Sequence, residues 1–216
     1  MQHQSDSHLK NNSNFTVLTE LNDNNIKNLM LADRYAIVKL IIKELHKMYI
    51  KGTVHPNLKL DIISAQKNLN NKWQITIKPD STKPSIFYIC PETQLKQEKT
   101  FASNIYSLAF IITELLNGEN IRDEKVVDGT LDEFLTESFS KGNAVHIVNP
   151  NNRIPKTLFQ VLEKAQAFNP EDRPSLAELS CAIYEVSNPY SISIFAGSRE
   201  AAEAQMNTAS TPTLGA

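Results

Sequence analysis

The stretch Ser103–Leu116, SNIYSLAFIITELL, decides the fold, because its pattern is that of a helix with apolar side chains on nearly every side. Such a helix belongs in the core, since a surface helix keeps one polar face. Gly118 follows closely, at a position where helices commonly end in a left-handed residue. The segment therefore predicts a helix that is buried in the core of a globular domain.

Helical patterns also lie on both sides of this segment. In Asp33–Ile50 the apolar residues recur in steps of three and four, which places them on one helical face, and Gly52 follows the last turn. Ser175 and Glu178 have the spacing of a capping box. The other predicted helices are Ile26–Leu31, which is short, and Thr130–Phe139, Pro155–Phe168 and Ser175–Val186.

Extended segments are few and short. Asp61–Ala65 and Trp73–Ile77 flank the Asn-rich turn Asn68–Asn71, which predicts a β-hairpin. Phe15–Glu20 is predicted as a strand and Ile86–Cys90 as a brief extended segment. The class is therefore mainly α with a small β component.

The composition indicates one ordinary globular domain. The chain has 216 residues, of which 41% are hydrophobic, with a formal net charge of −2. No charge bias points to nucleic acid or to an anionic membrane, and no apolar run reaches the ~20 residues that span a bilayer. We expect a soluble, cytoplasmic protein with a disordered segment at 1–14, a domain at 15–186 and a flexible tail at 187–216.

Cys90 and Cys181 are the two cysteines, and they lie far apart. A zinc site or a disulfide framework needs more thiols or clustered Cys and His, so we expect no metal site. Both cysteines are predicted to be small core residues, as expected in a reducing compartment.

Several short motifs occur in an order and spacing that resemble those of eukaryotic-type protein kinases. The first, HPNLK, lies where those kinases have His-Arg-Asp-Leu-Lys, and the second, YICPE, resembles the Ala-Pro-Glu motif that closes the activation segment. The others resemble the central buried helix and the segment that opens the last helix. The matching stretches are His55–Lys59, Tyr88–Glu92, Asn104–Leu108, Glu114–Glu119 and Asn169–Ser175.

The resemblance implies a kinase C-lobe over about residues 15–186, and it implies an ion pair. In the family an Arg before the last helix pairs with the Ala-Pro-Glu glutamate, and Arg173 and Glu92 fill those two positions. A lone buried charge costs roughly 3–5 kcal/mol, so both partners are needed together. We predict a contact within about 4 Å between their charged groups.

The resemblance also implies that the N-lobe is absent. Phe15–Glu20 resembles the last strand before the hinge, and only 14 residues precede it. The Gly-rich loop, the phosphate-binding Lys and its partner Glu would all lie upstream. We therefore expect no bound cofactor.

The positions that carry kinase chemistry are altered. Asn57 stands where the family has its catalytic Asp, and an amide cannot accept a proton from a substrate hydroxyl. Ile62 stands where the family has an Asn that binds magnesium, and it offers no oxygen ligand. These two replacements predict loss of phosphotransfer.

Four further positions complete the comparison. Asp80 is a candidate for a displaced metal-binding Asp, or else a surface-loop residue. Lys59 keeps its family identity but is expected to be solvated, and His55 is expected to be structural. Asn104 replaces an Asp that organises the catalytic loop, and we expect it to retain only part of that role.

These features predict a pseudokinase-like module for protein binding, scaffolding or regulation, not an enzyme. The surface that would pack on an N-lobe should be partly apolar and should bind a protein partner or a second copy of the chain. The alternative is part of a split or non-standard kinase-fold transferase, which would bind a nucleotide only with a partner.

The tail has a composition of its own. A small, Ser/Thr/Ala-rich C-terminus with Glu200 and Glu203 resembles the secretion signals of effectors delivered by intracellular bacteria of the Legionella type. An ordinary disordered terminus is the other interpretation. Translocation into a host cell is therefore a second prediction for localisation.

Overall fold

A computed structural model describes residues 19–79, 86–119, 130–143, 149 and 152–188. The chain is mainly helical with a small antiparallel sheet, as the sequence predicted. In order, the elements are β1 (Thr19–Glu20), α1 (Asp23–Ile26), α2 (Leu31–Ile50), β2 (Ile63–Lys67), β3 (Trp73–Ile77), α3 (Pro91–Gln94), α4 (Phe101–Asn117), α5 (Thr130–Ser140), α6 (Lys156–Ala165) and α7 (Leu176–Ser187). The predictions for residues 1–14, Phe15–Leu18, Asp80 and the tail beyond Asn188 lie outside the described residues.

Helix α4 is the centre of the domain. Every residue from Ser103 to Asn117 is buried, which confirms the prediction from its all-round apolar pattern. Helices α2 and α6 pack against it, and α7 packs against both of those. Gly118 ends α4 with a φ of +72°, the left-handed conformation that favours glycine.

Helix α2 begins two residues before the predicted start and ends where predicted. The apolar face contains Ile37, Val38, Ile41 and Leu45, all fully buried, because α2 lies between α4, α7 and the sheet. Gly52 follows the helix with a φ of +64°. The apolar residues that recur in steps of three and four in the sequence are thus the ones that α2 packs against its neighbours.

The sheet has the strand order β1-β2-β3, and both pairings are antiparallel. Ala65 lies opposite Thr19 on one side and Ile75 on the other. In the hairpin turn, the side chain of Asn68 accepts hydrogen bonds from the backbone of Asn70 and Lys72, each at 3.0 Å. The predicted hairpin is confirmed, and Asn68 supplies the side-chain acceptor that closes its turn.

Two local predictions were wrong. The short helix lies at Asp23–Ile26 and not at Ile26–Leu31, because Asn22 and Asn25 accept each other's backbone N–H groups with their side chains and start a turn there. The segment Ile86–Cys90 is not extended, since Ile86–Tyr88 forms one turn of 3₁₀ helix.

The prediction for the cysteines was half correct. Cys90 is buried beside α4, but Cys181 is exposed on α7. Residues Leu179 and Ile183 on the same helix take the buried positions, so Cys181 falls on the opposite face.

Candidate functional site

The segment that resembles a kinase catalytic loop connects α2 to β2 and is buried. His55, Asn57, Lys59 and Ile62 are each between 5% and 7% exposed. Leu58 and Leu60 alternate with them and are buried in the core. The two leucines hold the loop against the domain, so its polar residues are also withdrawn from solvent.

His55 makes a hydrogen bond with each ring nitrogen. Nδ1 accepts from the backbone N–H of Asn57 at 3.2 Å, and Nε2 lies 3.1 Å from the carbonyl oxygen of Lys78. A backbone N–H only donates and a carbonyl only accepts, so the ring is neutral with its proton on Nε2. His55 therefore ties the start of the loop to the end of β3, in agreement with its expected structural role.

Asn104 holds the backbone of the same residue from α4. With its side-chain amide oriented so that the nitrogen faces an acceptor and the oxygen faces a donor, the nitrogen donates to the carbonyl oxygen of His55 at 3.1 Å and the oxygen accepts from the N–H of His55 at 3.0 Å. An aspartate could accept but not donate. Asn104 is only 1% exposed, so both bonds form in the protein interior. These two bonds hold the loop backbone at His55, and the partial retention of the family aspartate's role stays a prediction.

Lys59 was expected to be solvated, and that prediction was wrong. Its side chain is 6% exposed, and its ammonium group lies 3.2 Å from a carboxylate oxygen of Asp61. The side chain of Asp61 is 60% exposed. A lysine can bury its stem while its charge reaches a partner at the surface, which accounts for this placement.

Glu92 and Arg173 form the contact that was predicted from the sequence. Nη1 of Arg173 donates to Oε1 of Glu92 at 2.7 Å, and Nη2 donates to Oε2 at 2.8 Å. Ser103 on α4 donates a third hydrogen bond to Oε1 at 2.7 Å. The remaining donors of Arg173 reach the carbonyl oxygens of Ala102, Ala167 and Phe168.

These bonds determine the ionisation of Glu92. Burial alone would raise the pKa of Glu92, but the hydrogen bonds from Arg173 and Ser103 and the charge of Arg173 lower it to about 2. The guanidinium carbon of Arg173 also lies 5.1 Å from the centre of the Tyr106 ring. The pair is therefore fully charged at neutral pH and surrounded by partners, which is the condition under which buried charges are tolerated.

A second buried pair was missed in the sequence. The hydroxyl of Tyr88 donates to Oε2 of Glu114, and both residues are at most 4% exposed. Ser107 also donates to the backbone oxygen of Tyr88 at 2.8 Å. The sequence did contain a signal for this pair, because Glu114 is the one carboxylate in a helix predicted to be buried. A buried Glu needs a hydrogen-bond donor, so a partner could have been expected.

The enclosed space beside the loop is small. A cavity of about 10 Å³ is lined by His55, Asn57, Cys90, Lys99 and Asn104 together with neighbouring residues. That volume has room for about one water molecule. The site thus consists of a buried structural network that includes Asn57 and Ile62, and Asp80 lies outside the described residues.

The described residues contain no cluster of three or more His, Cys, Asp or Glu that could hold a metal ion. Within the same ranges, no helix combines the length and the apolar character needed to cross a membrane. No protein-family model matches the chain, and neither does any curated protein.

Proposed function

We propose that this chain is a catalytically inactive binding module of the pseudokinase type, with the architecture of a kinase C-lobe. The observation that carries the proposal is a contrast within one loop. Asn104 holds the loop backbone at His55, and Arg173 pairs with Glu92 next to α4. The side chains at the two reactive positions, Asn57 and Ile62, have no chemistry for phosphotransfer.

This contrast favours a structural use of the fold. Phosphotransfer depends on placing charges and metal ions around the phosphates. Asn57 cannot act as a general base, and Ile62 is a buried apolar residue that cannot bind a metal ion. A framework that holds such a loop still presents a defined surface to a partner.

The first experiment tests the absence of phosphotransfer. We expect purified protein with ATP and Mg²⁺ to show no phosphate transfer to a generic protein substrate and no rise in the midpoint of thermal unfolding. A ligand at 100 times its Kd would add ~2.7 kcal/mol to the free energy of unfolding. The variant Asn57→Asp serves as a control, since restoring the base alone should not create activity. Phosphotransfer by the unaltered chain would contradict the proposal.

The proposed partner surface includes the hairpin of β2 and β3. Leu69 in its turn is 83% exposed, the highest value among the large exposed apolar residues of the described chain. Gln74 and Thr76 on β3 are also exposed, whereas Trp73, Ile75 and Ile77 are partly buried. This surface is therefore of mixed polarity with one prominent apolar residue, which suits a moderate interface.

Sedimentation velocity tests whether the partner is a second copy. We expect Leu69→Ser to weaken any self-association of the chain. The matched control is Ile50→Ser, which changes a residue that is 71% exposed at the end of α2. If only the control variant loses association, the hairpin is the wrong surface. If the unaltered chain is monomeric at every concentration, a homodimer is rejected and a different protein is the partner.

A second candidate function is part of a split or non-standard transferase. It is favoured by one observation, the burial of Lys59 beside Asp61 in the loop, where a solvated lysine was expected. This hypothesis predicts that ATP raises the unfolding midpoint of the chain in complex with its partner and not of the chain alone, and that Lys59→Met in that complex abolishes the rise. An equal rise in both proteins would exclude Lys59 from nucleotide binding.

A further inference from the structure

A second cleft lies at the C-terminal end of α4. It has a volume of about 480 Å³ and is lined by Lys27, Leu31, Arg34, Leu116 and Arg153. Asn104, which holds the loop, is twelve residues before Leu116 on the same helix. At 1.5 Å per residue the two sites are about 18 Å apart, so the cleft is separate from the loop.

Arg34 is held rigidly in this cleft. Its Nε donates to the carbonyl oxygen of Leu29 at 2.9 Å, and its two terminal nitrogens donate to those of Leu116 and Lys27 at 3.2 Å. Gly118 makes the space for it, because a Cβ atom there would lie only 2.0 Å from Nη1 of Arg34. The guanidinium is therefore pre-positioned before any ligand arrives.

Arg153 approaches the same helix end from the segment before α6. Its Nη1 donates to the carbonyl oxygen of Asn117, the residue after the one that Arg34 contacts. Each guanidinium has five N–H groups. After the bonds to these carbonyl oxygens, both arginines still have N–H groups that can donate to a ligand. The carbonyl groups at the helix end partly offset the two positive charges.

The charge in the cleft remains positive. Among the described residues, Lys27, Arg34 and Arg153 contribute three positive charges and Glu119 contributes one negative charge, which leaves a surplus of two. Burial lowers the pKa of Arg34, the nearby charge of Arg153 lowers it further, and Glu119 acts in the opposite direction. In the described part of the chain, Lys27 and Arg153 form no ion pair.

We propose that this cleft binds a small phosphate-bearing ligand, with Arg34 and Arg153 on the oxyanion and Lys27 at its edge. The surplus of two charges matches a phosphate dianion, and spare guanidinium donors suit its oxygens. The volume lies in the range of small-molecule sites, roughly 300–1,000 Å³. Leu31, which is 49% exposed, provides an apolar wall for the organic part of such a ligand.

The test uses inorganic phosphate as the probe. The full chain is titrated with sodium phosphate at constant ionic strength, with sodium chloride as the balance, by calorimetry and by thermal unfolding. We expect saturable binding, weakened at least about tenfold in the double variant Lys27→Met/Arg153→Met. Arg34 is left unchanged because its bonds to three carbonyls make it part of the fold.

The control removes the same charge elsewhere. Lys43→Met/Lys72→Met alters two exposed lysines outside the cleft and should retain the affinity of the unaltered chain. Equal weakening in both double variants, or no saturable binding at all, would overturn the proposal. Arg153→Lys should keep part of the affinity if charge is what the site supplies, and unfolding midpoints without phosphate confirm that each variant is folded.

A second series distinguishes the sources of the phosphate. Glycerol phosphate and a phosphoserine peptide are compared with free phosphate in the same titration. Tighter binding of either one identifies an attached group as the ligand, whereas equal affinities identify the free ion. Binding of ATP that is lost in Lys27→Met/Arg153→Met but kept in Lys59→Met would belong to this cleft, which keeps the two proposals distinguishable.

Discussion

Arg173 binds both carboxylate oxygens of Glu92 across 81 residues of sequence, at 2.7 and 2.8 Å. Glu92 lies on α3, and Arg173 precedes α7. Ser103 completes the arrangement from α4 by donating to the same carboxylate. The pair therefore joins three parts of the chain that local sequence could not bring together.

Removing one partner of this pair should be costly. We expect Arg173→Met to lower the free energy of unfolding by roughly 3–5 kcal/mol, because Glu92 would remain buried and charged. Urea unfolding followed by circular dichroism measures the change. The double variant Glu92→Met/Arg173→Met should lose less than the sum of the single variants. Additive losses would mean that the two side chains do not interact energetically.

The same pair should make stability depend on pH in the acid range. The pKa of Glu92 is about 2 in the folded protein, against an ordinary value of 4.5, so its contribution is complete above about pH 4.5 and falls away as the pH decreases toward 2. The shift corresponds to about 3 kcal/mol. The difference in unfolding free energy between the unaltered chain and Glu92→Gln should therefore shrink from pH 6 to pH 3. A constant difference would show that Glu92 does not carry this effect.

Asn104→Asp should destabilise the chain, although an aspartate is the residue that the kinase pattern has at the resembling position. An aspartate would lose the bond to the carbonyl oxygen of His55 and place a negative charge beside it. We expect a loss of about 1–3 kcal/mol in the free energy of unfolding. The control is Asn70→Asp in the exposed hairpin turn, where the change should stay within about 0.5 kcal/mol. An unchanged stability in Asn104→Asp would contradict the two-bond arrangement.

Two glycines provide a matched test of close packing. Both Gly52 and Gly118 have positive φ angles, +64° and +72°. Gly52→Ala should cost only the backbone strain, about 1–2 kcal/mol, since nothing lies within 4 Å of the new Cβ atom. Gly118→Ala must also displace Arg34, and we expect at least about 1 kcal/mol more. Equal losses in thermal unfolding would mean that Arg34 does not occupy this space.

The two thiols should react at different rates. Cys181 is exposed, whereas Cys90 is buried and burial raises the pKa of its thiol. In native protein we expect a disulfide reagent to modify Cys181 quickly and Cys90 only after denaturation. Cys181→Ser should abolish the fast phase. A fast phase that survives this substitution would place Cys90 at the surface.

Local patterns predicted the secondary structure well where a helix or hairpin has its own signals. The face of α2, the capping box of Ser175 and Glu178 and the hairpin around Asn68 all depend on residues within a few positions of each other. The contact between Glu92 and Arg173 joins residues far apart in the sequence, and it was predicted only through a resemblance to known proteins. The bonds of Asn104, the burial of Lys59 and the pair of Tyr88 and Glu114 were not predicted.

The sequence by itself determined the longer helices, the hairpin of β2 and β3 and the burial of α4, because periodicity and capping act between residues close in the chain. Only the tertiary structure decided the environment of the long polar side chains. Lys59 is buried and Cys181 is exposed because of the elements that surround them. Arg34 and Arg153 converge because both bind carbonyl oxygens at the end of α4. Such contacts join distant segments, so their geometry exists only after the domain has folded.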